Sequence, residues 1–155
     1  RFLEMSVDEL PTLVGVKYSA TTIYEFQQCL EFDNRRYVML FGCDEMLLSA
    51  LCVGAPGAVG STYNFAAPLY HDIIKAAAEK DLDKAGQLQA QAATMVRVLQ
   101  NHGGGPAIKS AMSLIGLECG PVRLPQSSLS AESLASLRNE LDSIGFFQSI
   151  ARRSI

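Results

Sequence analysis

Three short apolar runs, at residues 13–17, 37–41 and 58–59, each lead through a polar turn into a helical pattern, and this alternation constrains the fold of the 155-residue chain most. Strand, helix and strand recurring at intervals of about twenty residues call for parallel strands joined by right-handed crossovers. The middle run, Tyr37-Val-Met-Leu-Phe41, is apolar without interruption, as expected of a strand covered on both faces. Helices are expected from Thr22-Ile-Tyr-Glu25, a capping box with Ile23, Phe26 and Leu30 on one face; over 45–53, capped by Asp44; and over 68–80. Another box, Ser6-Val-Asp-Glu9, precedes Pro11.

Beyond residue 80 the pattern is helical only. Asp81 starts a long alanine- and glutamine-rich helix to about Asn101, Gly103-Gly-Gly-Pro106 breaks it, and 107–115 forms another. Residues 120–125 read as an extended linker, after which Ser130 caps a final helix with Leu134, Leu137, Leu141 and Ile144 in register. The expected organisation is an α/β part over 1–80 and an all-helical part over 81–155.

A chain of this size is one domain's worth, able to bury roughly two thirds of its unfolded surface. With 48% hydrophobic and 19% charged residues it is a globular chain. A net charge of −3 offers no basis for a nucleic-acid or anionic-membrane partner. No apolar run reaches membrane-spanning length and no secretory leader is visible. Cys29, Cys43, Cys52 and Cys119 form no CxxC pair, and His71 and His102 are the only histidines, so no metal site is expected. Reduced thiols of this kind suit the cytoplasm. Arg1 opens the chain in mid-pattern without an initiator methionine, which reads as a piece of something longer.

In parallel α/β folds the reacting groups collect at the carboxyl ends of the strands. Here those ends carry Lys17 with Ser19, Gly42 with Asp44 and Glu45, and Ser61 with Tyr63 and Asn64. A lysine delivered to the end of Val-Gly-Val, held away from water, has a lowered pKa and acts as an amine nucleophile on a carbonyl. The competing reading is that Lys17 ends a strand and points into solvent. Other signals are weaker. Gly54-Ala-Pro-Gly57-Ala-Val-Gly60 lacks dinucleotide-loop spacing, and His102-Gly-Gly-Gly105 has no GxSxG partner. His71 reads as a surface residue and Cys43 as a small apolar filler.

Taken together, Val-Gly-Val-Lys17-Tyr-Ser19, Phe-Gly42-Cys-Asp44-Glu45 and Gly60-Ser61-Thr62-Tyr63-Asn64 resemble the class I aldolase family of N-acetylneuraminate lyases and dihydrodipicolinate synthases, closest to its animal lyase branch. The resemblance runs over essentially the whole chain, through Arg123-Leu-Pro125 and the last helix. It implies the carboxyl-terminal part of a (β/α)8 barrel, about strands six to eight, followed by a helical extension. It also implies that Lys17 forms a Schiff base and that Ser19, Gly42, Asp44, Glu45 and Ser61 bind the sugar portion of the substrate. The reaction implied is reversible cleavage of N-acetylneuraminate to N-acetylmannosamine and pyruvate, with no metal or organic cofactor, by a homo-oligomer, often a tetramer in similar enzymes. Two parts of the family's site, the Gly-Thr-x-Gly-type loop for the pyruvate carboxylate and a proton-shuttling tyrosine on the fifth strand, have no counterpart here. Feeble activity is therefore expected of the isolated chain. The alternatives are another pyruvate aldolase of the family, or a non-catalytic form that pairs with full-length subunits.

Overall fold

The computed structural model describes residues 1–151. Helix α1 (Phe2–Glu9) precedes β1 (Gly15–Tyr18), α2 (Ile23–Glu31) and β2 (Val38–Phe41). A single 3-10 turn (Asp44–Met46) leads into α3 (Leu47–Cys52), and then come α4 (Tyr63–Ala78), α5 (Leu82–Asn101), α6 (Gly105–Leu114) and α7 (Ala131–Ser143). One wide helical turn, Phe146–Ile150, closes the described part.

The strands are parallel, with Gly15 opposite Val38 and Tyr18 opposite Phe41. The third run makes only a bridge, Ala58 against Phe41, where Phe41 N–H donates to Gly57 O at 3.1 Å and Val59 N–H to Phe41 O at 2.9 Å. The expected third strand is thus a contact of one residue on the far side of β2. Met39 and Phe41 turn toward α2 and α3 and are buried at 1% and 0% exposure. There Phe26 meets Phe41 edge to face, with ring centroids 5.0 Å apart. The opposite face of β2 is open, with Val38 53% exposed. Coverage on both faces, read from the apolar run, therefore fails: side chains alternate across a strand, and two strands and a bridge do not curl far enough to enclose the inner set.

A second core joins Leu47 to Phe65, Leu69 and Ile73 of α4, Met95 and Leu99 of α5, Ala107 and Ala111 of α6, and Leu137 and Leu141 of α7. The two cores meet along α3 and Ala58, which places the helices beside the strand ends. No helix among the described residues is long and apolar enough to cross a membrane.

Two expected caps are made: Asp81 accepts from Lys84 N–H and Ser130 from Ser133 N–H, each at 3.1 Å. Others are not. Ser6 lies inside α1, where its hydroxyl donates to Leu3 O at 2.8 Å and bonds Tyr37 Oη at 3.0 Å. Thr22 precedes α2 but its side chain makes no capping bond. The helix expected from Pro68 starts at Tyr63 and kinks at Ala66 (φ −119, ψ 22), because a proline ring offers no N–H to the carbonyl four residues back.

Candidate active site

The turn after β2 is tied to the end of β1 by Gly42 N–H, which donates to Tyr18 O at 2.7 Å. A Cβ on Gly42 would stand 2.6 Å from Lys17 Cε and still closer to the Ser19 hydroxyl. Only glycine lets the lysine stem and the serine crowd that backbone. A Cβ on Gly60 would likewise overlap the Asp44 carboxylate, 2.6 Å from its Oδ2. Backbone at two strand ends is thereby pressed against the polar groups of their neighbours.

These residues open onto one cavity of about 390 Å³. Lys17, Ser19, Gly42, Asp44, Glu45 and Ser61 all line it, so the six expected positions come together. The opposite wall is helical: Val96, Leu99 and Gln100 of α5, then Gly104 and Ile108.

Asp44 anchors the site. It is 6% exposed, and its Oδ2 accepts from Thr62 N–H at 2.9 Å and Thr62 Oγ1 at 2.5 Å. Because that hydroxyl proton is spent on Asp44, the Tyr70 hydroxyl, 2.6 Å away, donates to Thr62. Asp44 Oδ1 is buried with no donor among the described residues. Asp44 does not cap α3 as expected; Gln89 of α5 does, its Oε1 accepting from Leu48 N–H at 2.7 Å while its Nε2 donates to Asp44 O at 3.3 Å. Thr62, Tyr70 and Gln89 were not anticipated. A threonine beside the third strand end was a signal; nothing local marked the other two.

Burial pushes the Tyr63 hydroxyl well above its ordinary value, and the Asp44 charge adds to this. The Tyr70 hydroxyl is raised by burial too, against the opposing Thr62 bond. Burial raises the Cys43 thiol, Glu45 and Asp44 reinforce the rise, and Lys17 works against it, so Cys43 stays protonated as a filler between the strand end and the cavity.

One expectation is overturned. Lys17 is exposed, not withdrawn from water, because nothing among the described residues covers the open inner side of the strand pair. Ser19 and Ser61 are exposed as well, and Glu45 is half-buried. His71 is exposed on α4, and His102 Nε2 sits 2.9 Å from Glu140 Oε1, joining the end of α5 to α7. The four cysteines are free, and among the described residues no three histidine, cysteine, aspartate or glutamate side chains gather as a metal site would require.

A lysine, an acidic pair and hydroxyls thus stand together at the carboxyl ends of parallel strands, the place where α/β barrel proteins carry their sites. The chain belongs to the dihydrodipicolinate synthetase family, matched over residues 5–144. It is 37% identical over 145 residues to N-acetylneuraminate lyase of Mus musculus, covering 92% of this chain and 45% of that protein. With the Homo sapiens lyase the identity is 36% over 147 residues, or 93% and 46% of the two chains. The structure of Proteus mirabilis N-acetylneuraminate lyase superposes with a TM-score of 0.88 at 36% identity, covering 94% of this chain and 49% of that one. The Aliivibrio salmonicida enzyme, a sialic acid aldolase, gives 0.88 at 38%, covering 94% and 48%. The chain thus spans about half the length of the curated relatives it matches. Within a family of (β/α)8 barrels, it is a partial α/β unit with two paired parallel strands.

Proposed function

We propose that this chain is the carboxyl-terminal part of an N-acetylneuraminate lyase, about strands six to eight of the barrel over 1–80 and the helical extension over 81–155, of which 152–155 lie outside the described residues. The observation that carries this reading is the single cavity shared by Lys17, Ser19, Gly42, Asp44, Glu45 and Ser61. In it the Lys17 amine adds to the keto carbon of the sugar acid and water leaves, giving an imine. The protonated imine draws electrons from the carbon-carbon bond two atoms away; the neighbouring hydroxyl gives up its proton as that bond breaks, and the sugar departs as an aldehyde. The remaining enamine takes up a proton and is hydrolysed to pyruvate, freeing Lys17. Asp44, Glu45, Ser19 and Ser61 supply acceptors and hydroxyls for a polyol chain, and the Gly42 backbone permits close approach.

No metal or organic cofactor enters this scheme. Exposure of Lys17 supports feeble turnover by the chain alone, and wild-type-like pyruvate release from N-acetylneuraminate would overturn that. The setting we infer is the cytoplasm, in keeping with four free thiols, and the assembly a homo-oligomer, a tetramer by likeness to the family. The test is borohydride reduction in the presence of pyruvate, followed by intact mass and peptide mapping. One reduced pyruvate on Lys17 is expected; a folded chain without adduct overturns the reading. Profiling N-acetylneuraminate against other 2-keto-3-deoxy sugar acids separates the lyase from another pyruvate aldolase of the family.

A second reading, subunit pairing without catalysis, is favoured by the open strand face, where Val14, Val38 and Val59 are 79%, 53% and 45% exposed. A folded, adduct-free chain that co-sediments with full-length subunits would establish it.

A further inference from the structure

We propose that Gln89, on α5 and outside the cavity, is a positioning residue that aims Asp44 at the sugar chain of the substrate; this rests on the lyase reading above. An aspartate at the start of a helix ordinarily turns its carboxylate back onto the first free N–H groups of that helix. Asp44 opens the 3-10 turn two residues before Met46, the residue that flanks α3, and its carboxylate points to Thr62 instead. Gln89 stands between two groups spaced as the partners of one helical bond, accepting from the Leu48 N–H at 2.7 Å and donating to the Asp44 carbonyl at 3.3 Å. One amide thus supplies the acceptor that α3 lacks and pins the Asp44 backbone.

The reach is long-range, 41 residues to Leu48 and 45 to Asp44. It works because Ala85 and Ala92, on the same face of α5, are completely buried and let that helix lie close to the turn. Glutamine suits the place: it offers both a donor and an acceptor at the end of a reach long enough to span the turn. Without it, the Leu48 N–H is free to close directly on the Asp44 carbonyl four residues back, and that change of the backbone shifts the carboxylate from its place beside Thr62 at the cavity wall.

The experiment compares total reduced adduct on Lys17 formed with N-acetylneuraminate, which carries the sugar chain, and with pyruvate, which does not. In Gln89→Met the half-saturating concentration of N-acetylneuraminate should rise roughly tenfold, as loss of the two bonds and of Asp44's aim would give, while that of pyruvate stays put. Gln89→Glu keeps the acceptor for Leu48 and should recover most of the loss, whereas Gln89→Ala deletes the same two bonds and carries the test should Gln89→Met fail to fold. In Gln89→Met or Gln89→Ala an unchanged ratio of the two concentrations, or an equal shift of both, overturns the proposal by giving Gln89 no role or a merely structural one. No adduct from either ketoacid on the folded wild-type chain brings down the lyase reading and this inference with it, whereas normal trapping with an unchanged ratio brings down this inference alone.

Discussion

Thr62 gives both of its donors to one oxygen of Asp44, the backbone N–H at 2.9 Å and the hydroxyl at 2.5 Å, and receives the Tyr70 hydroxyl at 2.6 Å in return. The three groups form a buried relay from α4 to the strand end. Thr62→Val keeps the shape and deletes the relay's middle, leaving the Tyr70 hydroxyl without its acceptor and Asp44 with one donor fewer. Each such orphan costs about 1–3 kcal/mol, so the variant should lose about 2–4 kcal/mol in urea denaturation. Thr62→Ser retains the hydroxyl and should lose less than about 1.5 kcal/mol, the worth of one buried methyl group plus slack.

Two glycines should respond oppositely to the same substitution. In Gly60→Ala the new methyl competes for the space of the Asp44 carboxylate, so the carboxylate must leave and both Thr62 bonds go with it. A loss of about 2–3 kcal/mol is expected, together with weakened sugar-acid trapping and intact pyruvate trapping on Lys17. Gly86 is exposed on α5 with nothing within 4 Å of an added Cβ. Gly86→Ala should stabilise by about 0.4–1 kcal/mol, through helix propensity and a less free unfolded chain. Thermal unfolding of the pair checks both signs.

What was legible in the sequence follows the range of the interaction that decides it. Lys17 could be placed because strand, turn and helix are written locally, and Gly42, Asp44, Glu45 and Ser61 could be gathered with it because parallel strands bring their carboxyl ends together whatever the details. The capping bonds of Asp81 and Ser130 were readable for the same reason. Gln89 was not: its partners lie 41 and 45 residues away, and a glutamine among alanines and glutamines carries no local mark. For the same reason the sequence marks Asp44 as a cap for α3, the place that Gln89 takes in the structure. The exposure of Lys17 and Val38 depends on what encloses the inner side of the strands, a property of the whole barrel that no apolar run encodes.

The helical wall of the cavity depends on packing behind it. Leu137 and Leu141 are completely buried on α7, within the same core as Leu99, which reaches the cavity from α5. Leu137→Ala should cost about 2–5 kcal/mol in urea denaturation, the range for deleting a buried leucine. Leu134→Ala, on the half-buried flank of the same helix, should cost clearly less. Equal losses would mean that α7 is held by its helix alone and not by this face.

Tyr63 gives the sharpest pH prediction, because its hydroxyl is buried with no partner among the described residues while its ring meets Tyr70 edge to face at 4.2 Å. Burial keeps that hydroxyl protonated above the ordinary tyrosine value of 10.0, as it does for Tyr70. In the unfolded chain both protons leave near 10.0, and in the folded chain they stay. The unfolded state therefore binds fewer protons in that region, and stability, level below it, falls as pH rises past 10.0. Tyr63→Phe removes one of the two contributors, so its decline should be shallower. The same change relieves a buried unpaired hydroxyl and should add about 1 kcal/mol near neutral pH. Urea midpoints followed from about pH 7 to 11 measure both effects, and a variant less stable than wild type at neutral pH would show that the Tyr63 hydroxyl has a partner after all.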